Sequence, residues 1–148
     1  MPDFAPALGA YLQAELGLAG PVRVVPVGGQ GQSNPTYFVD ANHRRFVLRR
    51  RPDGELLPSA HAVDREYRVM SALRGTRLPV PHTVLYCERP DVVGTAFYLM
   101  DRLEGRVFDD ACLPGMAPAE RRAVYQEMAR TLATLHGLDP QALGLAAG

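Results

Sequence analysis

The sequence predicts an α+β fold in which helices pack on a five-stranded antiparallel sheet. Three stretches carry apolar residues at spacings of three and four, and five short stretches are rich in β-branched and aromatic residues. Most of the short stretches follow one another through turns and do not alternate with helices, as the strands of a parallel sheet would. With 148 residues, the chain is long enough to bury one core.

An amphipathic helix opens the chain. Its apolar face recurs at spacings of three and four and stops near Gly17 and Gly20, residues that commonly end helices. The residues of this face are Phe4, Leu8, Tyr11, Leu12 and Leu16.

Five short segments indicate strands. They cover residues 23–27, 36–40, 45–51, 83–87 and 96–100. Pro26 cannot donate a ladder hydrogen bond, so the first of them belongs at a sheet edge. Residues 41–43 and 90–94 predict turns, because Asn, Gly and Pro cluster there.

Two further helices are predicted, over residues 60–74 and 119–136. Ser59 is the expected N-cap of the first, because its hydroxyl can accept from a free backbone N–H. The apolar positions of the two helices are Val63, Tyr67, Met70 and Leu73, and Val124, Met128, Leu132 and Leu135. Residues 101–118 are polar, contain Gly and Pro, and predict a linker.

Composition excludes several classes of protein. The formal net charge is zero, so no basic field favours nucleic acid, and all sixteen basic residues are Arg. Cys87 and Cys112 are isolated, which disfavours a disulfide framework or a metal site and fits a reducing compartment. Neither a signal peptide nor a membrane-spanning apolar run is recognisable, so we expect a cytoplasmic protein with no membrane partner.

A glycine-rich segment, residues 28–34, lies between the first two predicted strands. Glycines let a backbone approach phosphate oxygens and direct N–H groups at them. The segment is not a dinucleotide-binding fingerprint, because a strand follows it and the third glycine is absent. It is not a Walker-type phosphate loop either, because no Gly-Lys-Ser/Thr follows it. The alternative is a flexible hairpin loop.

A cation on the third strand forms a second motif. Val47 and Arg49 share one face of that strand by alternation, and an Arg guanidinium can bind phosphate or carboxylate with two hydrogen bonds. The alternative is a solvated basic strand end, because Arg50 and Arg51 follow.

An acid on the next helix forms a third motif. Glu66 is three and four residues from Val63 and Met70, so it lies near the apolar face, where a carboxylate is better paired than free. The alternative is a rim carboxylate that pairs with Arg65 or Arg68 on its own helix.

An apolar strand that runs into a polar connector, residues 97–105, forms a fourth motif. Backbone groups of such a connector can bind the edge of a nucleotide base, with little demand on the side chains. The alternative is an edge strand followed by a turn.

In their order and separation these motifs resemble the aminoglycoside phosphotransferase superfamily, whose fold is kinase-like. Within it, the resemblance points to the branch akin to the kinase domains fused to acyl-CoA dehydrogenases. The segments that carry it span nearly the whole chain: GGQGQSNPTYFV, FVLRRRP, LLPSAHAVDREYRVMSAL, GTAFYLMDRLEGRVF and PAERRAVYQEMARTLATLH.

The resemblance implies a protein-kinase-like N-terminal lobe over residues 1–103, in which the helix of Glu66 takes the αC position. Residues 104–148 would form a linker and the first helix of a C-terminal lobe. Val47 would lie over the adenine, Arg49 would replace the lysine of most kinases and pair with Glu66, and Met100 would be the gatekeeper. Asp101 and Leu103 would contact the base through their backbones. The residues that would close over the phosphates are Gly29, Gln30, Gly31, Gln32, Ser33 and Asn34. An intact relative would use ATP, or GTP, with Mg²⁺, and a small-molecule hydroxyl would accept the phosphoryl group.

The resemblance also implies a His-Gly-Asp catalytic loop, an Asn five residues after its Asp, and a metal-binding Asp. His136-Gly137-Leu138-Asp139 departs from this pattern, because it has an extra residue and Gly144 stands where the Asn is required. We therefore expect a truncated relative that binds nucleotide but is inactive alone, with no catalytic or metal-binding residue of its own. The helix 119–136 would lack the later helices that cover it, which predicts a homo-oligomer. The alternative is a non-catalytic protein-interaction module on a kinase-like scaffold.

Overall fold

The structure, a computed structural model, describes residues 1–28, 34–54 and 63–146. Its helices are α1 (Ala5–Leu16), α2 (Val63–Leu73), α3 (Pro90–Val93) and α4 (Pro118–His136). Its strands are β1 (Val22–Pro26), β2 (Thr36–Ala41), β3 (Arg44–Arg50), β4 (Thr83–Cys87) and β5 (Phe97–Asp101).

The strands form one five-stranded sheet in the order β1-β2-β3-β5-β4, and every neighbouring pair is antiparallel. The predicted α+β fold class and its antiparallel sheet are confirmed. β1 lies at one edge, where the missing N–H of Pro26 does no harm to the ladder.

Two predicted turns differ in detail from the structure. Ala41 and Arg44 pair across β2 and β3, so that turn contains only Asn42 and His43. Both have positive φ, 45° and 65°, as a two-residue hairpin turn of the favoured hand requires. Residues 90–93 form one helical turn instead of an open turn, because Pro suits the first helical position and Gly94, at φ 91°, can end the helix in a left-handed conformation.

The main core lies between α1, α3 and one face of the sheet. Its centre is fully buried: Leu8, Leu12, Phe46, Leu48, Phe97 and Leu99 are each 0 % exposed. Burial of a side chain of this size stabilises the fold by roughly 1.5–3 kcal/mol. Because Phe46 and Leu48 point into this core, alternation sends Val47 and Arg49 to the opposite face of β3.

α2 packs on that opposite face. Val63 is buried in a second apolar cluster with Ala96 and Tyr98. Tyr67 stacks on Tyr86 at 5.5 Å between ring centroids and lies 6.0 Å from the ring of Tyr98. This packing holds α2 against the sheet face that carries Arg49. An acidic side chain of α2, Glu66, therefore comes within reach of Arg49. The predicted start of this helix, at Ser59 and residue 60, lies outside the described residues.

The chain divides into two compact units, residues 1–71 with 81–102, and residues 72–80 with 103–148. The second unit contains α4, whose first turn has Pro118 at its start and the Glu120 carboxylate 3.4 Å from the backbone N of Ala117. The apolar side chains of α4 remain exposed, to 59 % for Met128 and 51 % for Leu132. In the described part of the chain, no helix is both long and apolar enough to cross a bilayer.

Candidate functional site

The structure brings Arg49 of β3 and Glu66 of α2 together in the first compact unit. Arg49 Nη2 donates to Glu66 Oε1 at 3.3 Å, and Arg49 Nε lies 3.1 Å from Oε2. The Nε contact is an ion pair only, because Nε has no partner in hydrogen-bond geometry among the described residues. The two side chains are 30 % and 34 % exposed, so the pair is open to a ligand from one side.

Two neutral donors complete the surroundings of the Glu66 carboxylate. Asn34 Nδ2 donates to Oε1 at 2.9 Å, and the Tyr98 hydroxyl donates to Oε2 at 2.9 Å. Asn34 is 1 % and Tyr98 2 % exposed, so both polar groups need a partner inside the protein. The carboxylate therefore receives donors at both oxygens, from the segment before β2, from β3 and from β5.

Sequence reasoning placed Asn34 in the glycine segment but did not predict its contact with Glu66, and it missed Tyr98. A signal for Tyr98 was present, because alternation puts it on the same face of β5 as Met100. A tyrosine on a buried strand also needs a hydrogen-bond partner for its hydroxyl. The sequence does not show that β5 pairs with β3. In the structure their antiparallel register sets Tyr98 opposite Arg49 and so brings it to Glu66.

The environment of Tyr98 keeps its hydroxyl protonated. Burial raises the pKa of Tyr98 well above its usual value of 10.0, and the hydrogen bond to Glu66 and the negative charge of Glu66 raise it further. The hydroxyl is therefore a hydrogen-bond donor at every pH near neutrality.

An apolar surface continues from the ion pair along the same face of the sheet. Val47 stands opposite Met100 of β5 on one side and opposite Phe38 of β2 on the other. The guanidinium of Arg102 lies 3.7 Å from the centroid of the Phe38 ring, a cation–π contact. Phe38, Val47 and Met100 are therefore neighbours on this face of the sheet, with Arg102 over the Phe38 ring.

The connector after β5 begins with Asp101. Its backbone N–H donates to the carbonyl of His82 at 2.8 Å. Its side chain is 3.5 Å from Arg44 Nη2. Leu103 belongs to the second compact unit, and its side chain is 62 % exposed.

A cavity of about 410 Å³ lies beside the ion pair within the first unit. The ion pair, Tyr98 and Met100 line it, together with Arg65, Val69 and Met70 of α2. A larger cavity of about 870 Å³ lies in the second unit against α4, where its lining is almost wholly apolar and includes none of the candidate site residues. Of these two cavities, the smaller is therefore the one that the Arg49–Glu66 ion pair lines.

Comparison with known proteins gives the family. A profile of the phosphotransferase enzyme family matches residues 24–147, which is most of the chain. The chain belongs to this family.

Several relatives of this phosphotransferase-family chain are known. It is 49 % identical over 115 residues to acyl-CoA dehydrogenase family member 11 of Rattus norvegicus, covering 78 % of this chain and 15 % of the relative. It is 43 % identical over 141 residues to acyl-CoA dehydrogenase family member 10 of Mus musculus, covering 94 % and 13 %. It is 35 % identical over 149 residues to 3-deoxy-D-manno-octulosonic acid kinase of Stenotrophomonas maltophilia, covering 86 % and 57 %.

A solved structure shares the fold. The crystal structure of a Ralstonia eutropha protein assigned as an aminoglycoside phosphotransferase superposes with a TM-score of 0.77 at 44 % identity. The match covers 95 % of this chain and 40 % of that protein. The resemblance to aminoglycoside phosphotransferases and to the kinase-like domains of acyl-CoA dehydrogenase family proteins is thus confirmed, and the chain spans under half the length of the solved relative.

The phosphotransferase-family site is described only in part. Gly29, Gln30, Gly31, Gln32 and Ser33 lie outside the described residues. Among the residues that are described, no group of three or more His, Cys, Asp or Glu could hold a metal ion, so no Mg²⁺ ligand is assigned. In the His136-Gly137-Leu138-Asp139 segment, Asp139 Oδ1 accepts the backbone N–H of Gln141 at 2.9 Å and serves a turn after α4.

Proposed function

We propose that this chain is the nucleotide-binding part of a small-molecule kinase, which holds ATP for transfer of its γ-phosphoryl group to a hydroxyl. The observation that carries the proposal is the Arg49–Glu66 ion pair on the same sheet face as Val47 and Met100. A cation held by an ion pair beside apolar side chains suits the two ends of a nucleotide, which are anionic and aromatic.

Arg49 is suited to the phosphate end. Its guanidinium has five N–H donors in a rigid fork, and Glu66 engages only one side of that fork. The remaining donors can bind phosphate oxygens while the carboxylate holds the group in place. The neighbouring segment, residues 29–34, would contribute backbone N–H groups to the same phosphates.

The apolar side chains of Val47 and Met100, which pair across β3 and β5, are suited to the base. Beside them, the carbonyl of Asp101 would accept a hydrogen bond from the amino group of adenine. Because the N–H of Asp101 is already bound to His82, this edge offers an acceptor at that position. We therefore propose ATP as the nucleotide in preference to GTP.

The transfer itself needs groups that these residues do not provide. The acceptor hydroxyl forms a bond to the γ-phosphorus while the bond to the bridging oxygen of ADP breaks, and the hydroxyl proton must pass to a base. Bound Mg²⁺ would neutralise the phosphates during this step. We propose that the 148-residue chain binds nucleotide without turning it over, and that a relative with a complete helical lobe also binds the acceptor.

Calorimetric titration of the purified chain with Mg-ATP tests the binding proposal. The chain should bind saturably, and Arg49→Met and Glu66→Gln should each weaken binding by about tenfold or more, because a charge-assisted contact is lost or misplaced. Arg50→Met is the matched control, since Arg50 is the next residue, lies on the other face of β3 and has its own carboxylate partner in Asp53 at 2.8 Å. Equal affinity of all four proteins, or no binding at millimolar ATP, would contradict the proposal and favour a non-catalytic interaction module.

A coupled assay of ADP release tests the second part of the proposal. The purified chain should release no more ADP than a heat-denatured sample. Robust turnover that disappears in Arg49→Met would show that the catalytic groups lie within the chain.

A further inference from the structure

The Glu66 carboxylate connects three separate segments of the first compact unit. Asn34 stands directly before β2, Arg49 is on β3, and Tyr98 is on β5. Asn34 and Arg49 meet Oε1 at 2.9 and 3.3 Å, while Tyr98 and Arg49 meet Oε2 at 2.9 and 3.1 Å. Each carboxylate oxygen thus has one neutral donor and one contact with the cation.

The neutral donors to the carboxylate come from buried side chains, unlike the cation. Asn34 and Tyr98 are almost wholly buried, whereas Arg49 is partly exposed on a long flexible side chain. An ionised carboxylate only accepts hydrogen bonds, so the side-chain amide of Asn34 must turn its Nδ2 towards Glu66. Donors from two sides then define the plane of the carboxylate, and the guanidinium must align with that plane.

We propose that Asn34 and Tyr98 are positioning residues of the nucleotide site, which hold the Glu66 carboxylate in the orientation in which it meets Arg49. The inference rests on the proposed function, because its consequence is measured as nucleotide affinity. A guanidinium already aligned by Glu66 loses less freedom when phosphate binds, and this preorganisation tightens binding without any new contact to the ligand. Neither Asn34 nor Tyr98 needs to touch the nucleotide through its side chain for this effect.

Asn34 is the last residue of the glycine-rich segment 28–34, and its contact with Glu66 ties the end of that segment to α2. Its own Oδ1 is buried and has no hydrogen-bond partner among the described residues. Within the described residues, the Nδ2 donor to Glu66 is therefore the side-chain hydrogen bond that Asn34 makes. Thr36 Oγ1 donates to the carbonyl of Asn34 at 3.1 Å and holds its backbone against β2.

Tyr98→Phe tests the contribution of one hydroxyl. It keeps the ring and removes only the donor to Oε2, and it should weaken Mg-ATP binding by about fivefold, within the range for a hydrogen bond to a charged group. Tyr86→Phe is the matched control. Tyr86 pairs with Tyr98 across β4 and β5, both rings contact Tyr67, and the Tyr86 hydroxyl reaches only the exposed Glu88, at 3.4 Å. The control should bind Mg-ATP as the wild type does.

Asn34→Asp tests the second donor. The change is isosteric but sets a second carboxylate against Glu66, so it should weaken Mg-ATP binding by about tenfold or more through repulsion. Asn42→Asp makes the same change in the β2–β3 turn and should leave the affinity unaltered.

The role of Glu66 as intermediary is tested by combining variants. In a Glu66→Gln background, Tyr98→Phe should cause little further loss of affinity, because the carboxylate it positions is gone. Independent, additive losses would show that Tyr98 acts only on the stability of the sheet and would overturn the inference. Wild-type affinity in both Tyr98→Phe and Asn34→Asp, with binding still lost in Arg49→Met, would overturn it while leaving the proposed function intact. Absence of any saturable binding by the wild type would overturn both.

Discussion

Tyr98 faces Arg49 across the β3–β5 pair, and both side chains meet the same carboxylate, that of Glu66. The antiparallel register therefore brings a cation and a neutral donor to a single point on the sheet, where the acid of α2 meets both. The same register sets Val47 opposite Met100 two residues away, which joins the polar point to the apolar surface. The candidate site is thus a direct product of strand pairing between β3 and β5.

The first prediction concerns the choice of Arg at residue 49. Arg49→Lys should retain part of the nucleotide affinity, about threefold below wild type, because an ammonium supplies charge without the two-donor fork. Arg49→Met should bind the nucleotide about tenfold or more weakly than wild type, because it removes the charge as well as the fork. Fluorescence titration with a labelled ATP analogue would rank the three proteins, and a lysine variant weaker than the methionine variant would contradict a role in charge binding.

The sequence predicted some residues of the site but not the strand order that completes it. The alternation in residues 45–51 was enough to put Val47 and Arg49 on one face, and the helical spacing was enough to put Glu66 near the apolar side of α2. The donors from Asn34 and Tyr98 depend on which strand lies beside β3, and β5 is its neighbour although β4 comes earlier in the chain. Periodicity reports the face of each element but not the partner of each strand, so these two contacts could not be derived from it.

The helix boundaries show a similar limit. Residues 90–94 carry the Pro and Gly of a turn, and these same residues start and end the helical turn α3. Val92 and Val93 of that turn are buried in the main core. Pro and Gly at these positions allow either a turn or a short helix, and burial of the two valines in the core favours the helix.

The second prediction concerns the base. Mg-ATP should bind at least about tenfold more tightly than Mg-GTP, because the Asp101 carbonyl would meet the 6-oxo group of guanine, acceptor against acceptor. Competition between each nucleotide and a labelled ATP analogue measures the ratio. Inosine triphosphate serves as the control: it shares the 6-oxo group but lacks the 2-amino group, so it should bind as weakly as GTP. Equal binding of ATP and inosine triphosphate would rule out base selection at Asp101.

The third prediction concerns alkaline pH. Burial, followed by the hydrogen bond and charge of Cys87, raises the pKa of Tyr11 from 10.0 to about 12. Between these values the unfolded chain has lost the Tyr11 proton and the folded chain keeps it, so the contribution of Tyr11 to the free energy of unfolding should be constant below pH 10 and fall as the pH rises towards 12. The raised pKa values of Tyr86 and Tyr98 act in the same direction. Urea titrations at pH 8, 10, 11 and 12 would measure this, and Tyr11→Phe should flatten the slope. A free energy of unfolding that rises in this window would contradict the expectation.

The fourth prediction concerns α4 in the second compact unit. Met128 and Leu132 are 59 % and 51 % exposed, and with Tyr125 and Leu135 they line the apolar cavity of about 870 Å³. Apolar surface of this kind favours association, and a formal net charge of zero provides little repulsion between copies. We propose that a second copy of the chain covers this face, so that the purified protein dimerises as its concentration rises.

Sedimentation velocity over a hundredfold range of concentration measures that association. Leu132→Glu should shift the chain towards the monomer, because it places a charge in the surface that a second copy would bury. Gln126→Glu adds the same charge to α4 at an exposed position outside the cavity lining, so it should leave the distribution unchanged. A wild-type chain that stays monomeric throughout, or a dimer equally sensitive to both variants, would show that the apolar face of α4 is not the contact between copies.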